Sequence, residues 1–93
     1  MENLDKLSDI FKALADPTRL RILKMLNDQE GMLCVNAITN RLDVTQSAVS
    51  QHLRILRQVG LVRSERRGYF IHYEINKETL QQLDEMQKQM FKF

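Results

Sequence analysis

Ninety-three residues suffice for one domain with a modest hydrophobic core. Hydrophobic residues make up 43% of the chain and charged residues 28%, with a net charge of +2, the profile of an ordinary globular domain rather than a disordered or fibrous chain. No apolar run approaches the roughly 18 residues of a membrane span, and the acid-bearing opening MENLDKLSDIFKAL is unlike a signal peptide. One cysteine allows no internal disulfide, so the expected setting is a reducing cytoplasm with no membrane partner.

A first helix is expected over residues 3–15, where Leu4, Leu7, Ile10, Phe11 and Leu14 recur at three- and four-residue steps. Asp16-Pro17 ends it and opens a second, reaching about Asp28. Asp can cap the new N-terminus, and Pro at the first helical position loses no hydrogen bond. Leu20, Ile22, Leu23, Met25 and Leu26 supply the apolar surface of this helix. Arg19, Arg21 and Lys24 read as solvated charges, with phosphate contact as the alternative. After a polar break over residues 27–31, a short helix is expected from about Cys34 to Arg41, with Val35, Ile38 and Leu42 as its buried positions. Leu42-Asp43-Val44 is then a tight turn.

The stretch Thr45 to Gly60, TQSAVSQHLRILRQVG, has the most distinctive pattern. At about 100° per residue, Ala48, Val49, His52, Leu53, Ile55, Leu56 and Val59 fall on one side. Gln46, Ser47, Ser50, Gln51, Arg54, Arg57 and Gln58 fall on the other, with Thr45 as N-cap. A solvated helix face usually mixes Glu and Lys; this one carries no acid. Amides and hydroxyls can hydrogen-bond base edges, and arginine can pair with guanine or phosphate. Two short helices joined by about three residues, the second with this face, form the helix-turn-helix pattern over about residues 34–59. The bland alternative is an ordinary amphipathic surface helix. His52, mid-stripe on the apolar side, reads as a packed histidine bonded to backbone rather than as a base reader.

After Gly60 the period changes to two. Residues 61–66 and 69–75 read as strands joined at Arg67-Gly68, a wing spanning about 61–75. Tyr69, Ile71, Tyr73 and Ile75 share one face; Phe70, His72 and Glu74 share the other. The tip, with Arg66 and Arg67, is placed to reach a DNA backbone or minor groove. Five arginines against one acid, Glu65, between Arg54 and Arg67 concentrate positive charge around this region. A last helix is expected over about 77–92, with Leu80, Leu83, Met86 or Gln87, and Met90 in register and Phe91 and Phe93 adding apolar area. The first and last helices together exceed what so small a core needs, so their stripes are expected to pair with a second copy.

This order of elements resembles the ArsR/SmtB family of winged helix-turn-helix repressors, and the likeness spans nearly the whole chain. FKALADPTRLRILKML is similar to the family's opening signature, TQSAVSQHLRILRQVGLV to its DNA-reading segment and RRGYFIHYEI to its wing. The resemblance implies a mainly α (α+β) winged-helix domain in the order α-α-α-α-β-β-α, forming a homodimer through its first and last helices. It implies binding to an imperfect palindrome of double-stranded DNA, with Gln46, Ser47, Ser50 and Gln51 at base- and phosphate-contacting positions. Thiol-dependent metal sensing in the family uses a Leu-Cys-Val-Cys run, and here the run is Leu33-Cys34-Val35-Asn36. One sulfur is a poor site for a thiophilic ion. The family's other common site uses histidines and carboxylates on the last helix, which here offers Asp84 and Glu85 but no histidine.

The sequence therefore predicts a promoter-occluding repressor without the usual metal sites, cofactor or catalytic apparatus. No nucleophile–base pair, paired carboxylates or glycine-rich phosphate loop argues for an enzyme. Two other uses stay open at this level. One is a protein-interaction adaptor on the same fold; the other is a repressor that switches through oxidation of Cys34, although the chain holds no second cysteine to resolve a sulfenic acid.

Overall fold

The computed structural model describes residues 2–92. Helix α1 (Glu2–Leu14) is followed by α2 (Pro17–Asp28), strand β1 (Leu33–Cys34), α3 (Val35–Asn40), α4 (Gln46–Gln58), strands β2 (Val62–Arg67) and β3 (Phe70–Ile75), and α5 (Lys77–Met90). Each expected helix and both wing strands lie where the periodicity puts them, within a residue or two at their ends. Phe93 lies outside the described residues.

The α1–α2 junction is set by Asp16. Its Oδ1 accepts from the Thr18 and Arg19 amides at 2.7 and 3.2 Å, with Pro17 at the first helical position. The Arg19 amide bond is the main influence holding the Asp16 carboxyl below its ordinary value. Partial desolvation opposes it, while the Thr18 amide and the Arg19 charge act with it. Because the folded state favours the ionised form, the cap's stabilisation is complete above the ordinary carboxylate value and is lost as pH falls through the lowered folded one. Asp16→Asn, which caps as well but does not titrate, is expected to remove this contribution from the acid dependence of the thermal midpoint. Asp16→Ala is expected to lower that midpoint at neutral pH and to converge with wild type in strong acid.

The core gathers Ile10 of α1, Ile22 of α2, Ile38 of α3, and Val49, Leu53 and Leu56 of α4, all fully buried, and is continued by Leu61 and Val62 into the wing. Each such side chain contributes about 1.5–3 kcal/mol relative to exposure. A lone two-stranded hairpin is at best marginal; this one is held because Val62, Tyr73 and Ile75 at its base pack into the same core. Gly60 (φ 79°) makes the exit from α4. The Leu61 amide reaches back to the Leu56 carbonyl at 2.9 Å and that of Gly60 to Arg57 at 3.0 Å, the pattern of a helix ended by a left-handed residue.

Two features correct the expectation. β1, absent from the anticipated order, pairs antiparallel with β3, so that the sheet runs β1-β3-β2. Cys34 is consequently the last residue of a strand and the N-cap of α3 rather than a helical residue. The hairpin turn is also one residue later than Arg67-Gly68. Arg67 pairs with Phe70, leaving Gly68-Tyr69 as the two-residue loop. Gly68 takes the positive φ (64°) and Tyr69 does not, the pattern of a II′ turn with glycine first.

Candidate nucleic-acid interface

The division of α4 into two sides holds without exception. Val49, Leu53 and Leu56 are buried, Ala48, His52 and Ile55 are partly buried, and Gln46, Ser47, Ser50, Gln51, Arg54, Arg57 and Gln58 are exposed. Thr45 caps the helix, its Oγ1 accepting from the Ala48 amide at 3.0 Å. This leaves the amides and hydroxyls of the first two turns in solvent. Among the described residues only Arg57 of the exposed side has a side-chain hydrogen bond, from Nη1 to Ser64 Oγ on β2 at 3.3 Å. Arg57 thus ties α4 to the wing, while Gln46, Ser47, Ser50, Gln51 and Arg54 keep their donors and acceptors free. At the helix start the unsatisfied backbone amides and the positive end of the dipole add to the attraction for phosphate.

The wing continues the basic surface. Arg63 pairs with Glu74 at 3.0 Å and Arg67 with Glu65 at 2.7 Å, both pairs exposed. Exposed pairs of this kind hold weakly, so either arginine can turn to a phosphate at small cost. Arg66, itself exposed, donates from Nε to the Gly68 carbonyl at 3.2 Å and braces the turn. Of the face shared by Tyr69, Ile71, Tyr73 and Ile75, only the last two are buried; the hairpin projects past the body, and Tyr69 is 94% exposed.

Arg19 and His52 depart from their expected roles. Arg19 is neither solvated nor directed at phosphate: it donates to the Ala13 carbonyl at 2.6 Å and meets His52 Nδ1 at 3.2 Å. His52 is packed, as its place in the stripe implies, but its partner is this guanidinium and not backbone. Arg21 and Lys24 are exposed, Lys24 being paired with Asp28 at 2.9 Å.

The sequence model described as the bacterial regulatory protein, arsR family, matches residues 16–64, from the Asp16 cap through α4 to Ser64 in the wing. The chain belongs to the ArsR family. It is 40% identical over 90 residues to an HTH-type transcriptional regulator of Methanocaldococcus jannaschii, covering 92% of this chain and 100% of that one. It is 35% identical over 75 residues to the transcriptional repressor SdpR of Bacillus subtilis, covering 81% of each. A solution structure of the homodimeric winged helix-turn-helix DNA-binding domain of a possible ArsR-family regulator from Mycobacterium bovis superposes with a TM-score of 0.76. It is 30% identical and covers 90% of this chain and 77% of that one. The protein is thus a DNA-binding transcriptional regulator with a winged helix-turn-helix fold, from a family of regulators rather than enzymes.

Within this ArsR-family fold, Cys34 is partly buried at the end of β1 and stands opposite His72 in the β1–β3 register, with Glu65 opposite His72 on β2. The His72 Nδ1 atom is buried and has no hydrogen-bond partner among the described residues. Among the described residues, no three or more His, Cys, Asp or Glu side chains gather as a metal ion would require. Asp84 pairs with Lys88 at 3.0 Å on the exposed side of α5. No described helix is long and apolar enough to cross a membrane.

Proposed function

We propose that this chain is a cytoplasmic, homodimeric repressor that occludes a promoter by binding an imperfect palindrome, and that it does so without a resident metal. The observation that carries the reading is the exposed, acid-free face of α4, whose polar side chains, Arg57 apart, have no hydrogen-bond partner among the described residues. Gln46, Ser47, Ser50 and Gln51 read base edges from the first two turns. Thr45 fixes the start of the helix, and Arg54, Arg57, Arg66 and Arg67 set the register on phosphate. Two recognition helices related by a two-fold axis require half-sites about 34–36 Å apart, or a multiple of that. The SdpR repressor among the relatives supports repression as the outcome.

A second copy is the natural cover for α1 and α5. These helices pack on each other, with Lys6 Nζ donating to Gln82 Oε1 at 3.4 Å, but leave Leu4, Phe11, Met90 and Phe91 exposed. Leu4, Leu7, Phe11, Ala15 and Met90 line one apolar groove on this side of the molecule. Isolated exposed apolar residues are ordinary, whereas a contiguous set marks an interaction surface. The homodimeric Mycobacterium bovis neighbour supports the same use here.

The reading is tested by binding to duplex DNA at several salt concentrations. Each phosphate neutralised contributes about −0.9 to the log–log slope of affinity against salt, so a steep slope with a sequence-selective component is expected. A protein-interaction adaptor would give no selective component. Arg66→Ala with Arg67→Ala is expected to weaken binding to all sequences about equally and to make the slope shallower by about 0.9 for each phosphate that is no longer neutralised. An unchanged slope would remove the wing from the interface.

A further inference from the structure

Arg19 stands at the start of α2, yet its side chain, 15% exposed, joins three helices. Its Nε donates to the Ala13 carbonyl at 2.6 Å and Nη2 to the Lys12 carbonyl at 3.5 Å. Both carbonyls belong to the last turn of α1, which runs out of intrahelical donors. From the same guanidinium, Nη1 meets His52 Nδ1 of α4 at 3.2 Å and lies 3.8 Å from Asp16 Oδ2. A guanidinium has donors only, so His52 Nδ1 must accept and the ring proton must sit on Nε2. The contact therefore exists only while His52 is neutral.

We infer that Arg19 is a positioning residue for DNA recognition, fixing α4 to the end of α1 through neutral His52. This rests on the DNA-reading assignment of α4 made above. His52 directly follows Gln51 in the chain, and α1 carries the exposed residues assigned to the subunit interface. The angle between the two recognition helices of a dimer thus depends on how α4 is held against α1. Among the described residues, Arg19 makes the hydrogen bonds that join these elements outside the apolar core.

Of the charged groups nearby, Asp16 divides its carboxylate: Oδ1 accepts the two cap amides, and Oδ2 faces the Arg19 guanidinium. Asp9 and Lys12 of α1 line the groove that Arg19 shares with Ile55, Gln58 and Val59 of α4. Arg54 and Arg57 of α4 itself are exposed on its opposite side.

Two measurements on the intact protein test the inference. In the free protein, nitrogen NMR of the neutral His52 ring is expected to show a bare Nδ1 and a protonated Nε2; a proton on Nδ1 would overturn the tie whatever the DNA behaviour. With a selected duplex site, His52→Phe, which keeps an apolar ring but removes the acceptor, is expected to lower selective affinity about fivefold, the equivalent of one net hydrogen bond. His52→Gln offers Arg19 a carbonyl acceptor and is expected to keep the wild-type affinity. Arg19→Lys is expected to weaken selective binding while leaving a folded dimer. Wild-type selective affinity in His52→Phe or in Arg19→Lys, or an equal loss in His52→Gln and His52→Phe, would refute the inference. Absence of selective binding by the wild-type protein would instead refute the DNA-reading assignment, with the ring-proton measurement still deciding the Arg19–His52 tie.

Discussion

Ser47→Ala with Gln51→Ala is expected to abolish sequence preference while leaving the fold and the dimer intact. Both side chains are exposed on the first two turns of α4 and neither has a partner within the described molecule, so their removal costs little stability and opens no cavity. The expected loss is confined to base discrimination. A well-placed polar contact to a base edge is worth about 1–3 kcal/mol, so removing two from each protomer is expected to lower the ratio of selective to non-selective affinity about a hundredfold or more. Non-selective affinity and its salt slope should stay near wild type, because neither residue carries charge. Competition between a selected site and bulk DNA measures the ratio, and survival of the preference in the double variant would show that other residues read the sequence.

Phe11→Glu with Met90→Glu is expected to yield a folded monomer that no longer binds the palindrome usefully. Both residues are about half exposed in the single chain (41% and 51%), so glutamate at either place meets water in the monomer but is desolvated in a dimer. Two half-sites bound by linked domains gain about 10²–10⁴ over one domain alone, and loss of dimerisation forfeits that gain. Sedimentation equilibrium with a binding curve on the same sample makes the check. A dimer that persists in this variant would place the subunit interface elsewhere.

The parts of the molecule that were legible in the sequence are those with a period. The two-sided pattern of residues 46–58 needs only a regular helix and one buried flank, and each of its residues lies on the expected side. Asp16-Pro17 announced a helix boundary through local chemistry that operates at that position whatever the rest of the chain does. β1 had no such signal, because two residues, Leu33 and Cys34, display no alternation and gain their strand geometry from β3, nearly forty residues away in sequence. The turn lies one residue later than the sequence suggests because a glycine serves either position of a two-residue loop; the register of Arg67 with Phe70 decides it.

Arg19 was illegible for a related reason. Its spacing on α2 makes it look like a surface charge, and only the bend at Asp16 brings the carbonyls of Lys12 and Ala13 within its reach. His52 had the complementary difficulty: its stripe predicted burial correctly, but the identity of its partner is a property of how α2 crosses α4. The apolar excess of α1 and α5 was visible as composition, and the structure locates it at Leu4, Phe11, Met90 and Phe91.

The central claim is that the outward face of α4 reads DNA sequence in a two-fold arrangement. Selection of bound duplexes from a random pool by the reduced, metal-free protein tests it most directly. The account predicts enrichment of an imperfect palindrome whose half-sites are spaced by about one helical turn or a multiple. Recovery of no enriched sequence, with the protein folded and dimeric, would contradict it and favour the adaptor.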